Sequence, residues 1–535
     1  MKTTKIFLPI TCALLMASCT GNFENENTNQ AGFTPEQQQL DYQTNLIPLK
    51  QIQQCIYYNY GNGNWQFQIM QDLDADMFSG YFHDFVGSFN DKNSTYNLND
   101  GWNAFNWTQT YGDGMTAVQT SEKVNTKESY PAFYGITKIL KVEMMHRLAD
   151  MFGPIIYTKF GSKTGSDPDD LKTAYYQFFT DLDDAIAAIR SFQEANPNQE
   201  TFANADILMP QGMRTYSEWI KFANSLRLRL ALRIANVDAE KAKAEAQKSL
   251  TDAGGLLEDA KEVVAVDASS GYVNPLGTIN SVWGEVHMNA NMESYLVGYN
   301  DPRTEKYFQK SGTDPGLVPV IHSYEGLYKG VRQGTGVSDN RYGAHSPSTI
   351  MPTTNAILMS AAEVWFLRAE AALRGWSSES AKTCYERGVQ TSFDQWSAGD
   401  ATAYLNSDNK PADYIDAFDS NFDAKAQSTI TPKWDDAATK EQKLERISVQ
   451  KWLACYPEGC EAWANQRRTG YPKLFKVVVN NSQGKISTDA MVRRIPFPAS
   501  IENDNPDQYS KLKAALGGDD TGGTRLWWDT GSNNL

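Results

Sequence analysis

Trp65 is flanked by Asn62 and Asn64, Trp102 by Asn103, and Trp283 is followed by Asn289 and Asn291. An indole face can cover the apolar C–H side of a pyranose ring while amides and carboxylates meet its hydroxyls. These groupings therefore suit recognition of a sugar in water. Tyr81, Phe82 and Tyr295 join the three tryptophans as candidate ligand-contacting rings. The competing reading is that each ring caps the core beneath its segment. The chain is 12% aromatic, with 13 Trp and 26 Tyr, enough to supply both a ring-rich helical core and a set of exposed platforms.

Other chemistry finds little support. Asp72, Asp74 and Asp76 have the opening spacing of a calcium loop, but Met77 stands where glycine is needed and His83 where the closing glutamate belongs. A solvated or locally hydrogen-bonded acidic turn is the expectation there. Gly161 to Gly165 lacks the spacing of a phosphate loop, and no GxSxG nucleophile elbow occurs. The five histidines are scattered, without HExxH or CxxC, so neither a metal nor a cofactor is expected. A glycosidase needs two carboxylates astride one bond. With 64 acidic residues such a pair can always be imagined, yet no local motif favours one. Binding without catalysis is the reading that remains.

The amino terminus sets the compartment. Lys2 and Lys5 precede an apolar run from Ile6 to Met16, too short to span a bilayer, and Ala17-Ser18 leads into Cys19. Residues 1–18 read as a signal peptide. The segment resembles the lipobox of bacterial lipoproteins, with Met16 in the position usually held by Leu, which makes Cys19 the expected site of lipidation. Cys12 lies inside the apolar run and leaves with it. Residues 19–40 are polar and without periodicity, a flexible tether, and 41–535 are expected to form one domain. The formal net charge of −15 disfavours nucleic acid, which needs a positive face. Of the remaining cysteines, Cys55, Cys384, Cys455 and Cys460 are expected to be free and buried, with a Cys455–Cys460 bridge across a turn the alternative.

The elements that must carry these residues are helical. Residues 131–152 begin with proline, keep Ile136, Ile139, Leu140, Met144 and Leu148 on one stripe, and stop at Gly153-Pro154. Residues 355–376 follow the i, i+3, i+4, i+7 rule throughout. Further amphipathic helices are expected at 171–192, 216–236, 239–253, 379–396 and 441–453. Several read as pairs joined by short loops, as in degenerate tetratricopeptide-like repeats. Residues 59–111, 271–299 and 324–352, rich in Gly, Asn, Asp and aromatics, read as long loops.

Several stretches carry a wider likeness. GITKILKVEMMHRLADMFGPIIYT, ILMSAAEVWFLRAEAALRGW, ERISVQKWLACYPEGCEAWANQRRTGYP and RRIPFPASIENDNP, together with QDLDADMFSGYF, Asp301-Pro302-Arg303 and the ending Leu526-Trp527-Trp528-Asp529, resemble segments of the SusD/RagB family of outer-membrane nutrient-binding lipoproteins, and in the same order. Cys460 stands where that family often has Arg, and Gly153-Pro154 lacks an intervening acidic residue and hydrophobe. The resemblance implies a mainly α, SusD-like fold with tetratricopeptide-like helix pairs and irregular loops. It implies an outer-membrane, surface-exposed protein tethered by its lipid. Such a protein would bind oligosaccharide, or in some relatives a peptide, and pass it to a SusC-like TonB-dependent transporter. Trp365, Trp452, Trp463, Trp527 and Trp528 fall in family-like structural segments, and Trp107 and Tyr111 read as one face of a scaffold helix. A surface glycoside hydrolase is the rival from another class.

Overall fold

The computed structural model describes residues 40–83, 89, 91–162, 166–312, 324–336, 340–532 and 535. The signal segment, Cys19 and the tether up to residue 39 lie outside the described residues, as do residues 163–165 of the Gly161–Gly165 stretch. The chain divides into two units, 1–47 and 48–535. Its longer helices are α1 (Gln43–Ile56), α2 (Asp100–Gln109), α3 (Thr116–Val124), α4 (Pro131–Phe152), α5 (Leu171–Ala195), α6 (Tyr216–Arg233), α7 (Ala239–Thr251), α8 (Ala290–Tyr299), α9 (Ala361–Leu373), α10 (Ala381–Gln395), α11 (Lys440–Ala454), α12 (Gly459–Thr469) and α13 (Pro506–Leu516). Among the described residues none is long and apolar enough to cross a membrane.

Local chemistry starts and stops these helices. Asp170, Thr215, Asp238 and Ser380 each accept a backbone N–H of the first turn that follows, satisfying a donor the helix itself cannot pair. Thr439 and Gln442 form a reciprocal capping box at α11. Pro131 occupies the first turn of α4, and Gly153, at φ 99°, ends it. The pairs α4–α5, α6–α7 and α9–α10 pack side by side, and α9 also meets α6 and α11. At Gly135 of α4 a Cβ would lie 2.8 Å from the Ala185 carbonyl oxygen and 2.7 Å from the Ile189 side chain, so this glycine sets how closely α5 approaches.

Strand is scarce. β1 (Phe82–His83) pairs antiparallel with β3 (His287–Met288), and β2 (Val263–Val266) with β4 (Ala356–Ser360). β4 corrects the expectation of a helix from residue 355. The run AILMS is buried at every position, and a short continuous apolar run fits a buried strand as well as a helix. Ser360 marks the true start, its hydroxyl accepting from the Glu363 N–H at 3.3 Å.

α4 is buried on nearly all sides, including Lys141, Glu143, Arg147 and Asp150, so those charges must find partners. Arg147 donates to Glu458 at 2.8 Å and to Gln71 at 2.8 Å. Asp150 accepts from Arg233 at 3.2 Å and from the Tyr175 hydroxyl at 2.5 Å. Arg229 makes a two-point contact with Glu363 at 2.9 and 2.7 Å, while Arg468 does the same with Glu370 at 2.7 and 2.6 Å. Glu143 faces Arg229 only at 3.6 Å and has no hydrogen bond to either oxygen; burial pushes it up to about 8. The four cysteines of this region of the chain, Cys55, Cys384, Cys455 and Cys460, are free and buried.

One pH prediction arises from this network. Burial opposes the Glu370 charge, but Arg468 and Arg374 overcome it and hold the carboxyl at about 2, below an unfolded glutamate near ~4.3. A group depressed by folding contributes its full stability above the unfolded value and loses it as pH falls towards the folded one. Urea midpoints measured from pH 5 to pH 2 should therefore fall more steeply for the native chain than for Glu370→Gln. Parallel curves would show that Glu370 is not a source of the acid sensitivity.

Candidate functional site

The segment 59–111, expected as one loop, is largely helical. After Gly61 and Asn62, both at positive φ, a short turn Asn64–Phe67 runs into a wide-turn helix Gln68–Asp76, and α2 follows. Phe67 points inward, fully buried and stacked on Tyr57 with centroids 4.5 Å apart. Two residues earlier, Trp65 is left outside and is 50% exposed. Its ring meets the edge of Phe105 at 5.2 Å. Phe105 and Trp102 are three residues apart on α2, hence on one face, and Trp102 meets Phe89 edge-on at 5.2 Å. Trp65, Phe105, Trp102 and Phe89 thus form a ridge in which Trp65 is exposed and the other three rings are partly buried.

Interior contacts of α2 hold the ridge in place. Trp107 is buried against Phe152 and Phe497, and Asn106 donates to Asp74 at 3.2 Å. Asn93 donates to Asp74 at 2.6 Å and to Asn103 at 2.8 Å. Asp72, Asp74 and Asp76 are all buried. Burial pushes all three up, with Asp76 and Glu285 adding to Asp72, and Glu458 adding to Asp76. Of the expected solvated or locally hydrogen-bonded acidic turn, the solvated form is corrected: this is an interior helix in which Asp74 and Asp76 take hydrogen bonds from neighbouring amides and the Asp72 Oδ2 has no partner. Among the described residues no three His, Cys, Asp or Glu side chains converge as a metal-ligand set.

Trp283 ends a second short helical stretch, Pro275–Thr278 followed by Ile279–Trp283, which Gly284 stops at φ 73°. It is 39% exposed, beside Val282 at 68%. Gly277 permits the approach of the 347–354 segment, since a Cβ there would sit 2.1 Å from the Met351 carbonyl carbon. The Asn280 amide donates to the Ser348 and Ile350 carbonyls at 2.9 and 2.8 Å. Gln68 donates to Glu285 at 2.6 Å, Asn59 to the Val273 carbonyl at 2.5 Å, and the Tyr272 hydroxyl to the Tyr57 carbonyl at 2.7 Å. These ties bring the Trp283 segment against the one that carries Trp65.

The remaining candidates are interior. Tyr81 is fully buried, stacked on Trp452 with its hydroxyl donating to the Trp452 carbonyl. Phe82, in β1, packs against Phe308 and Tyr456. Tyr295 donates to the Lys473 carbonyl at 3.1 Å and meets Trp452 edge-on. As ligand contacts these three are corrected: their rings fill the core, and no face is open to a sugar.

Most of the amides beside the tryptophans are likewise committed. Asn103 accepts from Asn93, Asn289 bonds Phe82 and Asn291, and Asn291 accepts from the Phe475 N–H at 2.7 Å. Asn62, which is exposed, remains beside Trp65, whereas the Asn64 Oδ1 is unpartnered but sealed from solvent. Phe105 and Phe89 were not among the sequence candidates. The signal for Phe105 was its i+3 spacing from Trp102, readable once α2 is seen as a helix.

The family model described as SusD-like, Susd and RagB outer membrane lipoprotein, matches residues 25–529. A SusD homologue from Bacteroides vulgatus is 47% identical with a TM-score of 0.88, over 93% of this chain and 100% of that one. A chitin-binding SusD homologue from Flavobacterium johnsoniae is 38% identical with a TM-score of 0.84, over 92% and 99%. Another SusD homologue, from Bacteroides thetaiotaomicron, is 30% identical with a TM-score of 0.82, over 91% and 99%. No curated protein matches. The match over residues 25–529 and the likeness to these homologues show that the chain belongs to the SusD-like family of outer-membrane lipoproteins, glycan-binding and non-catalytic proteins that generally pair with SusC transporters.

Proposed function

We propose that this protein captures oligosaccharide on the Trp65–Phe105–Trp102 ridge and the adjoining Trp283, and delivers it to a SusC-like TonB-dependent transporter. The ridge carries the proposal: an exposed Trp65 and partly exposed Trp102 and Phe105 sit on helical segments whose other faces are locked into the core. Such rings are preorganised, so little ordering entropy is lost when a sugar lies against them. Asn62 beside Trp65 supplies an exposed amide for hydroxyls. Lipid on Cys19 holds the body at the outer membrane, and residues 19–40 give it reach. The chitin-binding relative at 38% identity favours a polysaccharide fragment over other ligands. Open platforms bury little of each sugar, so single-site affinity is modest, and retention beside the transporter mouth raises the effective concentration.

Isothermal titration against panels of oligosaccharides and peptides tests the ligand class. Saturable heats are expected with oligosaccharides, growing with chain length as more sugar units reach the ridge. Binding confined to peptides would defeat the proposal.

A further inference from the structure

A cavity of about 510 Å³ opens where α12 ends and the 489–493 and 525–532 segments meet. Arg467, Arg468, Lys473, Lys476, Arg493 and Arg525 line it, against the carboxylates of Glu441 and Asp489. On a chain of net charge −15 this is a local reversal of sign.

Most of these cations already have partners. Arg468 is held by Glu370 at 2.6 Å. Arg493 and Arg525 share Asp529, each at 2.6 Å, and Lys476 pairs with Asp489. Glu441 accepts from the Tyr471 hydroxyl at 2.7 Å. Arg467 and Lys473 are left over: neither is within ion-pair distance of a carboxylate among the described residues. Arg467 is 2% exposed. Its Nε and Nη1 donate to the Trp463 and Arg493 carbonyls at 3.3 and 2.6 Å, and Nη2 has no acceptor. Burial first, then neighbouring Arg493 and Arg233, depress it to about 9 despite Asp150 and Asp529.

Two structural roles account for part of this. Arg467 and Arg468 sit in the last turn of α12, where the helix dipole welcomes cations, and the Arg467 guanidinium lies 3.6 Å above the Trp463 ring. Lys473 lies 4.6 Å from the Tyr471 ring centroid and Arg525 is paired with Asp529, yet both stand outside the helix, are exposed and face the same cavity. A buried guanidinium without a counter-charge is costly, and an anion arriving here would relieve it.

We infer that this cavity is a second ligand site, separate from the aromatic ridge, for an anionic group of one or two charges: the carboxylate or sulfate of an acidic saccharide, or a free oxyanion of the same chemistry. Titration with glucuronate, glucose 6-sulfate and inorganic sulfate, with glucose as the neutral control and chloride holding ionic strength constant, tests it. Saturable binding of at least one anion and none of glucose is expected. The double variant Lys473→Gln/Arg525→Gln, altered only at exposed side chains, should raise that Kd at least tenfold. A charged sugar that outbinds sulfate identifies a saccharide site, and sulfate alone binding identifies an oxyanion site; either supports the inference. No saturable binding by any anion, or binding undiminished in the double variant, overturns it. Oligosaccharide binding at the ridge should be unchanged in this variant, so the two sites are read independently.

Discussion

Replacing Trp65, Trp102 and Trp283 together by alanine is expected to weaken oligosaccharide binding by about tenfold to a thousandfold while the helical circular dichroism stays unchanged. The range follows from roughly 0.5–1.5 kcal/mol for each ring contact, at about 1.4 kcal/mol per factor of ten. The fold should survive because the structural load lies on other side chains. Phe67 pins the turn that carries Trp65, and Trp107 with Asn106 pins α2 beneath Trp102. Trp65 is half exposed and Trp283 more than a third, so their removal opens no sealed cavity. Titration of the variant with the best native ligand measures the loss. Unaltered affinity would remove the ridge from the site, and a collapsed dichroism spectrum would mean that these rings cap the core.

How far the sequence could go differs between scaffold and site for physical reasons. α4 was readable because its ends are marked by residues with few alternatives, Pro131 at the start and Gly153-Pro154 at the stop. α5, α7 and α10 were readable from apolar periodicity, since each has a wet face, whereas α6 and α11 are wet only over their first turns. β4 was not, because a stretch buried on every side has no polar alternation to declare its period. The helical character of 64–76 and of the first turns of α2 was hidden by Asn, Gly and Asp, which favour turns unless tertiary partners hold them, while Trp107 was read on a helix face. Here those partners are each other: Asn93 and Asn106 reach Asp74, and Gln71 reaches Asp76. The same uncertainty governs the candidate rings. Proximity in sequence put amides beside tryptophans at 102 and 283, but the chain turns Asn103, Asn289 and Asn291 inward as internal struts. Composition states that an amide is present, and only the backbone path decides which way it points.

Glu461→Gln is expected to destabilise the fold by about 3–5 kcal/mol, the range for removing one member of a buried charge set. Glu461 is buried in the first turn of α12. It accepts from Lys451 at 2.5 Å and from Arg233, and lies 3.6 Å from Arg229. Burial works against its charge, yet Arg233, Lys451 and Arg229 more than reverse this and hold the carboxyl well below the usual range. The amide keeps the shape of the site while deleting the charge, leaving the surrounding cations to be shared between Glu363 and Asp150. The loss should appear as a lower urea midpoint with unchanged slope. The cost stems from uncompensated charge and not from a lost contact, so adding Lys451→Met to Glu461→Gln should recover part of it by removing one stranded cation. A double variant no more stable than the single would mean that these side chains act through shape alone. Because α12 ends in Arg467 and Arg468 at the cationic cavity and α11 carries Trp452 against Tyr81, this charge set, through Lys451 and Glu461, ties the two helices that position both.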